Sequence, residues 1–60
     1  MSKEVVETIY GKHYKYEVVC ETGLIENRMY YVRCSDGSTS GIFSELRAAV
    51  DWANKRAESK

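Results

Sequence analysis

The C-terminal stretch "SELRAAVDWANKRAESK" constrains this chain more than any other, because Leu46, Ala49, Val50, Ala53 and Ala57 recur at i, i+3, i+4, i+7 and i+11. They form one continuous helical face. A helix with a single apolar stripe has to lay it on another surface, and the residues ahead of it are the ones that can build that surface. Ser44 is a suitable N-cap. Glu45 in the first turn and Lys55 with Arg56 near the last complement the helix dipole. The spacing predicts a helix over 45–58.

The preceding residues read as strands. In "YKYEVVC", Tyr14, Tyr16, Val18 and Cys20 alternate with Lys15, Glu17 and Val19, which predicts a strand over 14–20. Asp36-Gly37 is a tight-turn dipeptide flanked by "RMYYVRC" and "STSGIF", so strands over 28–34 and 39–43 are expected to form a hairpin. With Asp36 and Gly37 as the two loop residues, Val32 faces Gly41, Tyr31 faces Ile42 and Tyr30 faces Phe43. Residues 4–10, "EVVETIY", fit a helical face through Val5, Val6, Ile9 and Tyr10, yet their β-branched content favours a strand. The strand is the reading adopted, with a turn at Gly11-Lys12.

The link from 14–20 to 28–34 has two possible registers, and the apolar pattern selects one. A tight turn at Thr22-Gly23 would put Arg33 and Asn27 on the same face as Tyr14, Tyr16 and Val18. A longer loop over 21–27 instead pairs Val18 with Tyr30, Tyr16 with Val32 and Tyr14 with Cys34, giving one apolar face for the helix to cover. The expected fold is therefore α+β: a small antiparallel β-meander of three or four strands packed on one C-terminal helix, as a single domain over 1–60. Cys20 and Cys34 then lie at opposite ends of a hairpin, too far apart for a disulfide.

A chain of 60 residues buries only about 60% of the surface its unfolded form exposes, so the core has to be small. Its 43% hydrophobic and 30% charged residues suit a globular domain rather than a disordered tail. Nine Lys and Arg balance nine Asp and Glu, with four against five in residues 1–30 and five against four in residues 31–60. A partner held by bulk electrostatics, such as nucleic acid or an acidic membrane, would leave a positive excess in one half. The first residues, "MSKEVVETIYGK", suggest neither a signal peptide nor a membrane span, and a cytoplasmic location is the default expectation.

Residues able to do chemistry are few. His13 sits beside a turn without a carboxylate or cysteine at a recognisable spacing, and Cys20 and Cys34 fall on the face assigned to the core. Gly11, Gly23, Gly37 and Gly41 are scattered singly, so no phosphate-cradling loop is drawn. The expectation is a protein that is not an enzyme and uses no catalytic residue, metal, cofactor or small-molecule substrate. The sheet face away from the helix is more informative. Val19 opposite Met29 and Tyr31 opposite Ile42 would form an apolar patch there, with Lys15, Glu17 and Arg33 around it and Val6 beside it. Trp52 lies about 120° from Leu46 on the helical wheel, at the boundary of the stripe, where it packs over the sheet edge or serves as a binding anchor. Leu24 and Ile25 follow Thr22-Gly23, where a hairpin tip is normally polar; they either cap the open end of the layers or project as an apolar tip for a partner. Val19, Met29, Tyr31, Ile42, Leu24, Ile25 and Trp52 are thus the candidate interface, for a protein partner or a homodimer.

Nucleic acid is the competing class. Residues 28–53, a strand, a turn, a strand with "GIF" and a helix with "AAVDWA", resemble the sheet-plus-helix layout of AP2-type domains and of the arm-binding domains of tyrosine integrases, over less than half of the chain. Those families read DNA with side chains on the open sheet face, and the resemblance points to Lys15, Tyr31, Arg33 and Ser40 here. The charge balance departs from the basic face that such binders carry.

Overall fold

The structure, a computed structural model, describes residues 2–23 and 28–59. Strands β1 (Ser2–Tyr10), β2 (Lys15–Thr22) and β3 (Arg28–Cys34) form an antiparallel sheet in the order β1-β2-β3, followed by helix α1 (Leu46–Ser59). The helix rests on one face of the sheet and touches all three strands. This is the α+β meander-and-helix architecture that the apolar patterns predict, with three strands.

Alternation along β2 and β3 builds the core. Tyr16, Val18, Val32 and Cys34 are buried against Ala49 and Ala53, and Ile9, Tyr30, Phe43, Val50, Trp52 and Ala57 pack around them. Val18 and Val32 are cross-strand partners without any exposure, each contributing about 1.5–3 kcal/mol by burial. Two alanines one helical turn apart leave no side-chain bulk between the helix backbone and the sheet, so the two layers approach closely. Within the stripe Ala49 and Ala53 are buried and Val50 and Ala57 half-buried, while Leu46 in the first turn stays 40% exposed. The helix starts one residue later than predicted: the Glu45 carbonyl accepts the Ala49 N–H at 3.4 Å, so Glu45 rather than Ser44 holds the capping position.

The β2–β3 register differs from the expected one by two residues. Val18 pairs with Val32, Tyr16 with Cys34, Cys20 with Tyr30 and Val19 with Tyr31, and β2 runs on to Thr22, so the connection is shorter than 21–27. A shift of two preserves which face each side chain occupies, so the core keeps its composition although every predicted pair changes. Tyr14, expected in the strand, belongs instead to the β1–β2 turn and is exposed. Leu24 and Ile25 lie outside the described residues.

The strand predicted over 39–43 is replaced by two isolated bridges, Arg33 with Thr39 and Tyr30 with Phe43. The turn explains why. Its loop has three residues, not two: the Cys34 N–H donates to the Ser38 carbonyl at 2.8 Å and the Gly37 N–H to the Cys34 carbonyl at 3.0 Å. Gly37 closes it at φ 98°, the left-handed conformation that a three-residue hairpin loop requires. Asp36 Oδ1 accepts from the Ser38 N–H at 2.9 Å and from its hydroxyl at 2.7 Å. The longer loop moves the first bridge one residue out of step with Tyr30–Phe43, and the surplus residue is absorbed at Gly41-Ile42, where the ladder breaks. Ser40 bridges the break, its Oγ accepting the Val32 N–H at 2.8 Å while its own N–H donates to the Val32 carbonyl at 2.9 Å.

Residues 4–10 are strand, as their β-branched content predicts, but the pairing with β2 shifts between Val5 and Glu7. Val6 is the extra residue of a β-bulge. Val5 therefore shares a face with Val19, whereas Ile9, opposite Tyr16, packs on the helix side. The bulge and the charges of Lys3, Glu4 and Glu7 also disfavour the addition of a further strand at this edge.

Candidate functional site

Three cross-strand rows make up the centre of the helix-free face: Lys3–Glu21–Met29, Val5–Val19–Tyr31 and Thr8–Glu17–Arg33. The middle row is apolar. Val19 is only 3% exposed although no element among the described residues covers this face, because its row neighbours and the flanking side chains close over it. Together they leave a shallow depression of about 170 Å³ lined by Lys3, Glu4, Val5, Val19, Tyr31 and Arg33.

Charges bracket this row. On one side Lys3 Nζ stands 3.9 Å from Glu21 Oε2, and on the other Arg33 donates to Glu17 Oε1 through Nη2 at 3.1 Å and Nε at 3.3 Å. Solvent-exposed pairs of this kind contribute about 0–1 kcal/mol, so they affect what can approach the face more than they affect stability. The middle strand supplies the acids and the outer strands the bases, and within these two rows the charges cancel.

The predicted interface residues are only partly brought together. Tyr31 lies beside Val19, as cross-strand partners. Met29 is opposite Glu21 rather than Val19, a consequence of the two-residue register shift, and it sits at the margin of the patch at 36% exposure. Val19 is corrected from an exposed contact residue to the floor of the depression. Ile42 is 65% exposed and has no ladder partner, because the break at Gly41-Ile42 removes the expected pairing with Tyr31. Trp52 is a half-buried boundary residue packed on the core, with the Arg56 guanidinium 5.0 Å from its ring centroid. Val5 takes the place assigned to Val6. Strict alternation conceals it, since only the bulge brings Val5 into the row of Val19.

Two of the four candidates for DNA reading, Arg33 and Ser40, are engaged within the chain. The Arg33 guanidinium is held by Glu17, and the Ser40 hydroxyl accepts from Val32 and donates to the Gly41 carbonyl at 2.8 Å. Lys15 is exposed, but it lies one row beyond Glu17, opposite Tyr10. Glu17 and Glu21 also lie on the face that a phosphate backbone would meet.

Among the described residues no group of three or more His, Cys, Asp or Glu is arranged to hold a metal ion. Cys20 and Cys34 are free thiols, four ladder positions or about 13 Å apart, so the predicted separation holds although the pairs differ. His13 is exposed in the β1–β2 turn, edge-on to Tyr14 with ring centroids 6.5 Å apart. Burial, with Cys34 beside it, pushes the Tyr16 phenol above its ordinary pKa. No helix among the described residues is long and apolar enough to cross a membrane. Comparison with family models, curated proteins and solved structures returns no match.

Proposed function

We propose that this protein is a non-enzymatic interaction module whose contact surface is the helix-free sheet face. The observation that carries the reading is the apolar row Val5–Val19–Tyr31 set between two cross-strand ion pairs. An apolar centre within a charged rim is the usual anatomy of a protein contact. A second protein is a better occupant than a second copy of the chain. In a face-to-face dimer with its two-fold axis along the strands, Glu17 would meet Glu17 and Glu21 would meet Glu21. With the axis across the strands, Glu17 would meet Glu21. The partner that suits this face offers an apolar group to the depression and basic groups to the acids of β2.

The test is capture from native lysate with the wild-type chain and with Tyr31→Glu and Val5→Lys as baits, with and without nuclease. A partner kept after nuclease by the wild type and lost by both folded variants supports the reading. Nuclease-sensitive material that is also lost by Tyr31→Glu and Val5→Lys favours nucleic acid on this face instead.

A further inference from the structure

A second surface lies at the β1–β2 turn, "YGKHYK", residues 10–15. Tyr10 is 78% exposed, Tyr14 is also exposed, and Lys12, His13 and Lys15 are exposed between and beside them. The open Tyr10 ring and the Tyr14 ring, 37% exposed and edge-on to His13, alternate with cations, an arrangement that suits a ligand with both flat faces and negative charge. This turn is also held in place. The Gly11 N–H donates to the Tyr14 carbonyl at 2.9 Å, and Tyr10 and Lys15 are cross-strand partners at its base. The Lys15 N–H donates to Ser35 Oγ at 3.1 Å, and the Ser35 N–H donates back to the Lys15 carbonyl at 2.9 Å, tying the turn to the neighbouring hairpin. Behind it, a Cβ on Gly11 would stand 3.2 Å from Cα and Cβ of Ala57, so the last helical turn buttresses the tip.

The chain is neutral overall, but the turn segment 10–15 carries Lys12 and Lys15 and no acidic residue. In the half of the molecule towards this turn, Glu7, Glu17, Asp36 and Glu58 offset part of the positive charge of Lys12, Lys15, Arg33, Lys55 and Arg56, so the cationic character is local to Lys12 and Lys15 in the turn itself.

We propose that this tip binds single-stranded nucleic acid, with bases stacking on Tyr10 and Tyr14 and the phosphate backbone running past Lys12 and Lys15. Base–aromatic stacking is indifferent to sequence and needs an unpaired base, which selects single strands over duplex. The surface is distinct from the Val5–Val19–Tyr31 row and stands or falls separately from it. The test titrates the full chain against a fluorescein-labelled oligothymidylate and a duplex of equal length, read by anisotropy at low and moderate salt. The expected result is preference for the single strand, with a log–log salt slope of about −1.4 if two phosphates are neutralised. Tyr10→Ala and Tyr14→Ala should each weaken binding about fivefold or more. Lys12→Glu with Lys15→Glu should abolish it, and Tyr31→Glu should leave it unchanged. Failure to bind at low salt, equal or tighter binding to duplex, or indifference to both tyrosine substitutions in chains that remain folded by circular dichroism would overturn the proposal.

Discussion

Single residues hold the irregular parts of this fold. Ser40 supplies a hydroxyl where the ladder between β3 and the following segment breaks, and Val32, whose N–H it accepts, is fully buried. Ser40→Ala leaves that N–H without its partner and should cost about 1–3 kcal/mol in denaturant unfolding. Gly11 is needed for close approach: a Cβ there would stand 3.1 Å from the Tyr14 carbonyl oxygen as well as against Ala57. Gly11→Ala should therefore destabilise by about 1–3 kcal/mol, measured in the same way. The Tyr16 phenol is raised by burial, with Cys34 adding to the shift, so the folded state holds its proton more tightly than the unfolded chain. Its contribution is fully present below the ordinary value of 10.0 and is lost as pH rises through the folded value. Stability should fall above about pH 10 with a shallower slope in Tyr16→Phe, read from urea midpoints at a series of alkaline pH values. None of these three roles can be seen in the residue types alone. Each depends on which neighbour the register delivers.

At the scale of elements, the helix and the two central strands were legible because their periodicities are undisturbed: 3.6 across residues 46–57 and 2 across residues 15–20 and 28–34. Parity survived the two-residue error in register, so the core and open faces of β2 and β3 were read correctly from pairs that do not form. The errors lie where one residue is surplus. The third loop residue at Ser35-Asp36-Gly37 displaces 39–43 and turns a predicted strand into two bridges, and the Val6 bulge exchanges the faces of β1 halfway along. A bulge leaves no compositional mark, which is why "EVVETIY" fits two periods and Val5 was missed. The helix–sheet contact makes a further prediction. Ala49 and Ala53 have no exposure, so Ala53→Leu should force the layers apart and cost about 1–3 kcal/mol by overpacking, seen as a lower urea midpoint.

At the scale of the whole molecule, the layers leave one sheet face without cover among the described residues, and that face is neither polar throughout nor basic. Its apolar row was half legible, because Val19 and Tyr31 carry the correct parity, while Val5 joins them only through the bulge and the ion pairs of Lys3 and Arg33 depend on register. Glu17 and Glu21 on β2 direct the reading towards a protein partner rather than phosphate or a second copy of the chain. The most direct test is quantitative capture of a nuclease-resistant partner by the wild-type chain beside Tyr31→Glu and Val5→Lys, with the fold of each bait checked by circular dichroism. The proposed contact predicts a partner retained by the wild type and lost by both folded variants. Retention of the same partner by both variants would contradict it.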